Sequence, residues 1–354
     1  MAIRDDFRSL FTLRPSPVRW PIALQAAIAI GIPIIGFTIA GQPSLGLLAS
    51  SGGFTALYLS SRSRRERAAA LPLIALGLIA ASVIGAVAAG SLASSIIALV
   101  VVSIAACVLC LGLPVGPPGA MFFVLLTGVS SRLVGPKSLG GDELSAGLVI
   151  GMLAIGCVIS YLVVLAPLLL PSVRRKDAAL HLERPAIRFQ LDGPSRIILE
   201  RIVVATVIAG LLTTPLGIHR AYWVMVAVVV ILQNGHRVRL TALRAVHRVI
   251  GTLIGVGLFA LILVFEPRGL FVGVIVMALQ FIVEVIVIRN YGLALVFITP
   301  LALIIADQSG SADIGETVSV RVLDTLLGAL IALVVLFGSF LARRLSSTRN
   351  PRTF

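Results

Sequence analysis

Apolar runs of about twenty residues recur along this chain, and a run of that length crosses a bilayer as a helix. The first is "WPIALQAAIAIGIPIIGFTIA" at 20–40. Others follow at 43–60, 69–89, 92–112, 117–132, 145–169, 196–217, 221–235, 247–265, 269–288, 291–307 and 317–342, the fifth and eighth of the series being short. Of the 354 residues, 58% are hydrophobic and 12% charged, and the mean hydropathy is +1.08. A soluble domain of this size has no interior large enough for so much apolar surface, whereas lipid solvates it. The expected fold is all-α and integral to a membrane, with about twelve transmembrane helices. No small-residue cleavage site follows the first run, so it is expected to stay as the first helix.

The formal charge is +14. In a soluble protein this excess would suggest nucleic acid, but here the basic residues sit in short clusters between apolar runs, as in membrane anchoring. With the N-terminus inside, the clusters at 4–19, 62–67, 174–201, 237–248 and 343–352 all fall on the cytoplasmic side, together with Arg289. Only Arg132, Lys137, Arg220, Arg268 and Arg321 are left outside. An even number of crossings follows, with both termini cytoplasmic. The expected location is the bacterial cytoplasmic (inner) membrane, multi-pass, with lipids as partners and no nucleic acid.

The two halves resemble each other. "GLIAASVIGAVAAG" from Gly77 parallels "GTLIGVGLFALIL" from Gly251. "GAMFFVLLTG" from Gly119 parallels "GLALVFITPL" from Gly292, and "GMLAIGCVISYLVV" from Gly151 parallels "GALIALVVLFGSFL" from Gly328. The division is a first six-helix repeat at 1–170, a cytoplasmic basic linker at 171–195 holding one interfacial helix, a second repeat at 196–342 and a basic tail at 343–354. Six crossings per half give parallel repeats, and a substrate site is then expected where the halves meet.

"QNGHRVRLTALRAVHRVIGTLIG" at 233–255 gathers arginine and histidine at the threshold of an apolar run. On a helix Arg237, Thr241, Arg244 and Arg248 recur every three or four residues and form one polar stripe. Two roles stay open for it. It can anchor on anionic headgroups, worth about 1 kcal/mol per residue near the surface, or it can form a cationic vestibule that concentrates organic anions. Gly251, Thr252 and Gly255 make a small-residue face for helix packing.

The stretch "AYWVMVAVVVILQNGHRVRLTALRAVHRVIGTLIG" at 221–255 resembles the central signature of the fusaric-acid-resistance-like family, within the aromatic acid exporter superfamily. That signature is a Tyr-Trp helix (here Tyr222 and Trp223), a basic connection, and an Arg-x-x-Gly-Thr-x-x-Gly helix (here Arg248, Gly251, Thr252 and Gly255). "RVLDTLLGALIAL" at 321–333 is similar to the family's final helix. The resemblance covers the second half well. In the first half the arginines at 62–67 are present, but no Gly-Thr-x-x-Gly follows. The resemblance implies a multi-pass exporter of organic, often aromatic, acids, with distant kinship to the plant aluminium-activated malate transporters, which are anion channels. The chain departs from longer exporters in having no large soluble domain between its halves.

Polar groups inside apolar runs are costly unless paired or wet, so they are functional candidates. Gln280 and Glu284 lie four apart on one face of the tenth run. Glu284 reads either as the partner of Arg289 or another inner arginine, or as a proton carrier. Asp324 reads either as a salt bridge with Arg321 or as a second proton carrier, and Glu200 reads as an inner-surface ion pair. Thr127-Gly128 and Thr299-Pro300 sit at matching places in the two halves. They read either as helix interruptions that free backbone groups for a substrate, or as an ordinary kink. The pathway candidates are therefore Thr127, Gly128, Thr299, Pro300, Arg237, Arg244, Arg248 and Gln280, with Glu284 and Asp324 for proton coupling.

No nucleotide-binding, metalloprotease or serine-hydrolase motif occurs, so no enzyme activity is expected. His181, His219, His236 and His247 lack metal-ligand spacing. Cys107, Cys110 and Cys157 lie in apolar runs as small fillers, and no cofactor or metal is expected. The expected function is proton-coupled efflux of organic, foremost aromatic, carboxylate anions. A passive organic-anion channel and a non-transporting membrane scaffold of a cell-envelope complex are the alternatives. A self-contained pore and a homodimer are both open.

Overall fold

The computed structural model describes residues 15–113, 115–179, 189–216, 218–235, 237–306 and 314–349. Arg4, Arg8, Arg14, His181, Arg184, Arg188, His236 and Arg352 lie outside the described residues, as do both chain ends and the side chains of His219 and Arg220. Among the described residues all regular structure is helical.

The first half comprises α1 (Trp20–Ile39), α2 (Pro43–Ser50) with a 3₁₀ stretch at Ser51–Leu57, α3 (Arg64–Ala88), α4 (Leu92–Gly112), α5 (Met121–Val134) and α6 (Ala146–Leu165). The linker holds α7 (Pro171–Ala179). The second half comprises α8 (Gly193–Thr213), α9 (Ile218–Leu232), α10 (Val238–Val264), α11 (Leu270–Ile286), α12 (Tyr291–Ala306) and α13 (Ile314–Arg349). Six helices are long and apolar enough to cross a bilayer: α1, α3, α4, α6 with its extension to Leu169, α10 and α13. Shorter apolar helices are α5, α9, α11 and α12.

Local sequence sets several of these boundaries. Ser63 and Glu66 close a reciprocal capping box at the start of α3. The Asp177 carboxylate of α7 accepts hydrogen bonds from the amides of Arg64 and Arg65, 2.6 and 3.1 Å away. The linker helix is thereby held against the positive end of the α3 dipole. Asp192 caps α8 by accepting from the Ser195 amide at 2.8 Å.

One expected helix takes another form. The run at 43–60 is an eight-residue α-helix that passes into a seven-residue 3₁₀ stretch. Glycine accounts for its position. Gly52 lies against the backbone of Gly156 in α6, while Gly46 and Gly53 lie against α1 at Ile34 and Ile30. Such close approach leaves no room for a Cβ. The 3₁₀ form rises about 2.0 Å per residue, against about 1.5 Å in an α-helix, so a short segment reaches further.

Burial inverts the soluble pattern. Val87, Phe271 and Leu73 are 82%, 73% and 69% exposed. Outward-facing aliphatics of this kind belong in hydrocarbon. Hydroxyls occupy the interior. Ser82 pairs with Ser130 at 2.7 Å, joining α3 to α5, and Ser131 donates to Ser95 at 2.7 Å, joining α5 to α4. Small residues and interhelical hydroxyl bonds hold helices together where the solvent itself is apolar.

Helix neighbours cross between the halves. Within the first half α3 packs on α5 and α6, and α1 on α2 and α6; within the second, α10 packs on α12 and α13, and α8 on α9 and α13. Between halves, α1 packs on α11, α4 on α8, and α5 on α9. The α5–α9 seam is aliphatic and aromatic: Val124 shares one core with Tyr222, Met225 and Val229. The α1–α11 seam joins Ile30 and Ile34 to Val276 and Val283. The site expected between the halves is therefore replaced there by close apolar packing. A polar clasp closes one end of the α5–α9 seam: the Gln233 side chain accepts from the Ala120 amide and donates to the Pro118 carbonyl, both at 3.0 Å.

Candidate functional site

The polar stripe of α10 runs inward. Arg237, the residue preceding the helix, is exposed; Arg244 is half-buried; Thr241 and Arg248 are buried, at 1% and 4% exposure. Thr241 donates its hydroxyl proton to the carbonyls of Gly235 or Arg237, each 3.0 Å away. Arg248 lies about 15 Å along the helix from Val238, at 1.5 Å per residue, half the thickness of a hydrocarbon core.

Other helices bring polar groups to the same depth. Arg248 Nη1 donates to the Tyr291 hydroxyl at the start of α12, 3.2 Å away. Arg321 of α13 stacks its guanidinium on the Trp223 ring of α9, 3.7 Å from the centroid. The Trp223 ring lies 4.9 Å from that of Tyr222, and the charged neighbours of the Tyr222 hydroxyl are Arg132, Arg321 and Asp324. Arg321 in turn lies within electrostatic reach of Arg248, Asp324 and Tyr291. Four helices of the second half, α9, α10, α12 and α13, thus assemble two arginines, one aspartate and three aromatic rings in the interior. Arg132, at the end of α5, also pairs with Asp142, 3.7 Å away.

The structure brings Arg248 and Asp324 together and leaves the other candidates elsewhere. Arg237 and Arg244 lead toward the cluster along α10. Glu284 of α11 is paired with Arg19 at 3.0 Å and receives a long contact of 3.5 Å from Gln280, near the foot of the α1–α11 seam. Arg289 instead donates to Ser16. Glu200 pairs with Arg343. Asp324 is 1% exposed, and Arg321 faces Trp223 three residues before it.

Thr127-Gly128 and Thr299-Pro300 do not interrupt their helices. α5 and α12 run unbroken through them. Thr127 donates to the carbonyls of Ala81 and Phe123, at 3.1 and 2.9 Å, and Thr299 to that of Leu295, at 2.8 Å. Local hydroxyl bonds and packed neighbours absorb the change, as bilayer helices allow around proline. Gly128 lies where the Tyr222 side chain presses on α5. Gly251 and Gly255 lie where α10 crosses α12, against Gly292 and Thr299, with Thr252 buried between them.

Sequence reading missed Arg321, Trp223 and Tyr291 as members of one cluster. Charge counting leaves Arg321 outside, although the run at 317–342 contains it, and a cation inside an apolar run is the available signal. Cys107 and Cys157 are buried, Cys110 is half-buried, and among the described residues no group of three His, Cys, Asp or Glu gathers for a metal.

Apolar helices faced with lipid-type side chains and joined inside by hydroxyl bonds define a helical membrane protein. Its family relation lies in the second half: residues 192–335 match the family model described as fusaric acid resistance protein-like. The chain is also similar to a Bacillus subtilis (strain 168) protein named "Uncharacterized membrane protein YvaC". The two are 32% identical over 169 residues, covering 47% of this chain and 26% of that protein. Similarity to the "Uncharacterized protein YhfK" of Escherichia coli (strain K12) is 29% over 170 residues, covering 42% of this chain and 21% of that protein. The chain thus spans about a quarter or less of the curated relatives it matches. No solved structure matches it.

Proposed function

We propose that this chain moves organic anions out of the cell across the bacterial inner membrane. The observation that carries the reading is the sign of the charge inside the second half. Arg201, Arg248 and Arg321 are each buried, whereas of the two buried acids among the described residues of this half Glu284 is neutralised by Arg19, leaving Asp324. A cationic interior lowers the barrier for anions and raises it for cations. The decreasing exposure from Arg237 through Arg244 to Arg248 suits an inner vestibule leading to that interior. The family match supports export, and aromatic carboxylates are the substrate class that the resemblance implies.

The architecture we infer is twelve crossings in two parallel six-helix repeats, with both termini cytoplasmic. Mirrored packing supports it: α3 on α5 corresponds to α10 on α12, α1 on α11 to α8 on α4, and α3 on α6 to α10 on α13. So do two crossings of one kind, Gly85 of α3 against Thr127 of α5 and Gly255 of α10 against Thr299 of α12. They suit a register one helical turn away from an alignment of Gly77 with Gly251. On this reading Thr127, Gly128, Thr299 and Pro300 shape the bundle around the path, and Asp324 is the proton-coupling candidate.

A second reading, a passive anion channel, draws support from the Arg19–Glu284 pair, which engages the other carboxylate that could carry a proton. Purified protein in sealed vesicles separates the two. Uphill uptake of an aromatic carboxylate driven by ΔpH supports the exporter, whereas current that follows voltage and anion gradient alone supports the channel. No anion flux in either assay would leave the scaffold reading in their place.

A further inference from the structure

We infer that Arg248 and Arg321 form an anion-binding station in the membrane interior, holding the carboxylate head of an organic anion between their guanidiniums. This rests on the anion-transport reading and assigns it a site. Both arginines are 4% exposed, and they come from facing helices. They lie within electrostatic reach of each other. Like charges brought together away from water repel strongly unless an anion screens them.

Their hydrogen bonds are incomplete in the same way. The Nε–H of Arg248 and that of Arg321 are both buried, with no acceptor among the described residues, a state they share with Arg19, Arg64, Arg67 and Arg132 but occupy here on facing helices. Arg248 engages the Tyr291 hydroxyl and Arg321 the Trp223 ring, and the Asp324 carboxylate also acts on Arg321. Among the described residues Asp324 is the one carboxylate among the neighbours of Arg321. A buried donor left unsatisfied is costly, and two on adjoining cations mark the place for an oxyanion with several acceptor lone pairs.

Where α10 meets α13, the residues that follow the two arginines pack together: Val249, Thr252 and Leu253 against Val322, Thr325 and Leu326. Thr252 follows Arg248 by four residues and Thr325 follows Arg321 by four, so each hydroxyl stands one turn from its arginine on the same helix face. Fold alone does not demand a cation here. When Gly85 is set against Gly255, the position of α3 corresponding to Arg248 is Leu78, fully buried and apolar.

The chain has two tryptophans, Trp20 and Trp223. Trp20→Phe, at an exposed site, leaves Trp223 as the reporter beneath Arg321. The Trp20→Phe protein in nanodiscs is titrated with benzoate and acetate, with benzamide as the uncharged isostere. The expected result is a saturable Trp223 fluorescence change with the carboxylates and none with benzamide. Apparent affinity should fall at least about tenfold in Arg248→Gln and Arg321→Gln, as loss of a charge-assisted contact predicts. Arg321→Lys should fall in between, because it keeps the charge and loses the planar fork; this variant and Arg248→Lys carry the test if the Gln forms do not fold. No response to either carboxylate overturns the station, as does an unchanged response in all the arginine variants. Vesicle assays on the same proteins separate the two claims. Benzoate flux at the parental rate in folded arginine variants removes the station and keeps transport. Charge-dependent binding with no flux in any vesicle keeps the station and removes transport.

Discussion

Glu284 shows how a carboxylate inside an apolar run stays ambiguous until its neighbour is known. Sequence offers it an inner arginine or a proton, and the partner found is Arg19, from the opposite end of the chain and across the α1–α11 seam. Removing one member of a largely buried pair strands the other charge. Arg19→Ala should therefore destabilise the protein by roughly 2–4 kcal/mol, and Arg19→Ala with Glu284→Ala should recover more than half of that loss in thermal unfolding in detergent. If the double variant is no more stable than the single one, the pair is not what holds Glu284. Gln233 is a second long-range contact that composition could not reveal, because an amide beside a turn looks like any surface residue. Gln233→Ala leaves the Ala120 amide and the Pro118 carbonyl without their partner. The expected loss is about 1–3 kcal/mol, read as a lower melting midpoint, and a change within measurement error would show that solvent replaces the clasp. Placement was legible where spacing alone decided it, as for Arg237, Arg244 and Arg248 along one helix. It was hidden where four helices had to converge, as at Arg321, Trp223 and Tyr291.

Helix existence was readable from hydrophobic run length because a bilayer imposes one length scale on every crossing. Helix form was less so. The run at 43–60 has the composition of a span, but its glycines are set by contacts with α1 and α6 that no local window contains. Gly52→Ala would drive a Cβ into the backbone at Gly156 and Cys157, neither of which is a flexible side-chain tip. We expect a loss of about 1–3 kcal/mol, the usual range for overpacking. Gly147→Ala, in open space on the same α6, should be nearly neutral. Equal melting behaviour of the two variants would mean that the 3₁₀ stretch is free to move away from α6. Gly255→Val makes the matching prediction in the second half: it should separate α10 from α12 at Thr299 and lower stability more than Gly257→Val, which meets nothing. Thr127-Gly128 and Thr299-Pro300 left two forms open, and the continuous helices leave the kink. Sequence sees breaker residues, whereas their helices keep going because hydroxyls and tight neighbours take up the lost geometry.

At the scale of the whole molecule the decisive feature is that α1 leans on α11 and α4 on α8, so each half covers helices of the other as well as its own. Expression of 190–354 alone, which includes the whole stretch matching the family model, should give a protein that is degraded or aggregated. Co-expression with 1–189 should restore a folded species that co-purifies, detected by pull-down and size exclusion. A well-behaved second half on its own would show that the cross-packing is dispensable. On the repeat reading, the same exchange bears on ancestry. A half-length forebear with this helix order could not have stood as a finished monomer; two copies would have had to interlock, each lending its opening helix to the other. On that reading, joining the two genes end to end would fix the partnership at one to one. It would also free the copies to diverge, one with Leu78 and the other with Arg248 at the matching place.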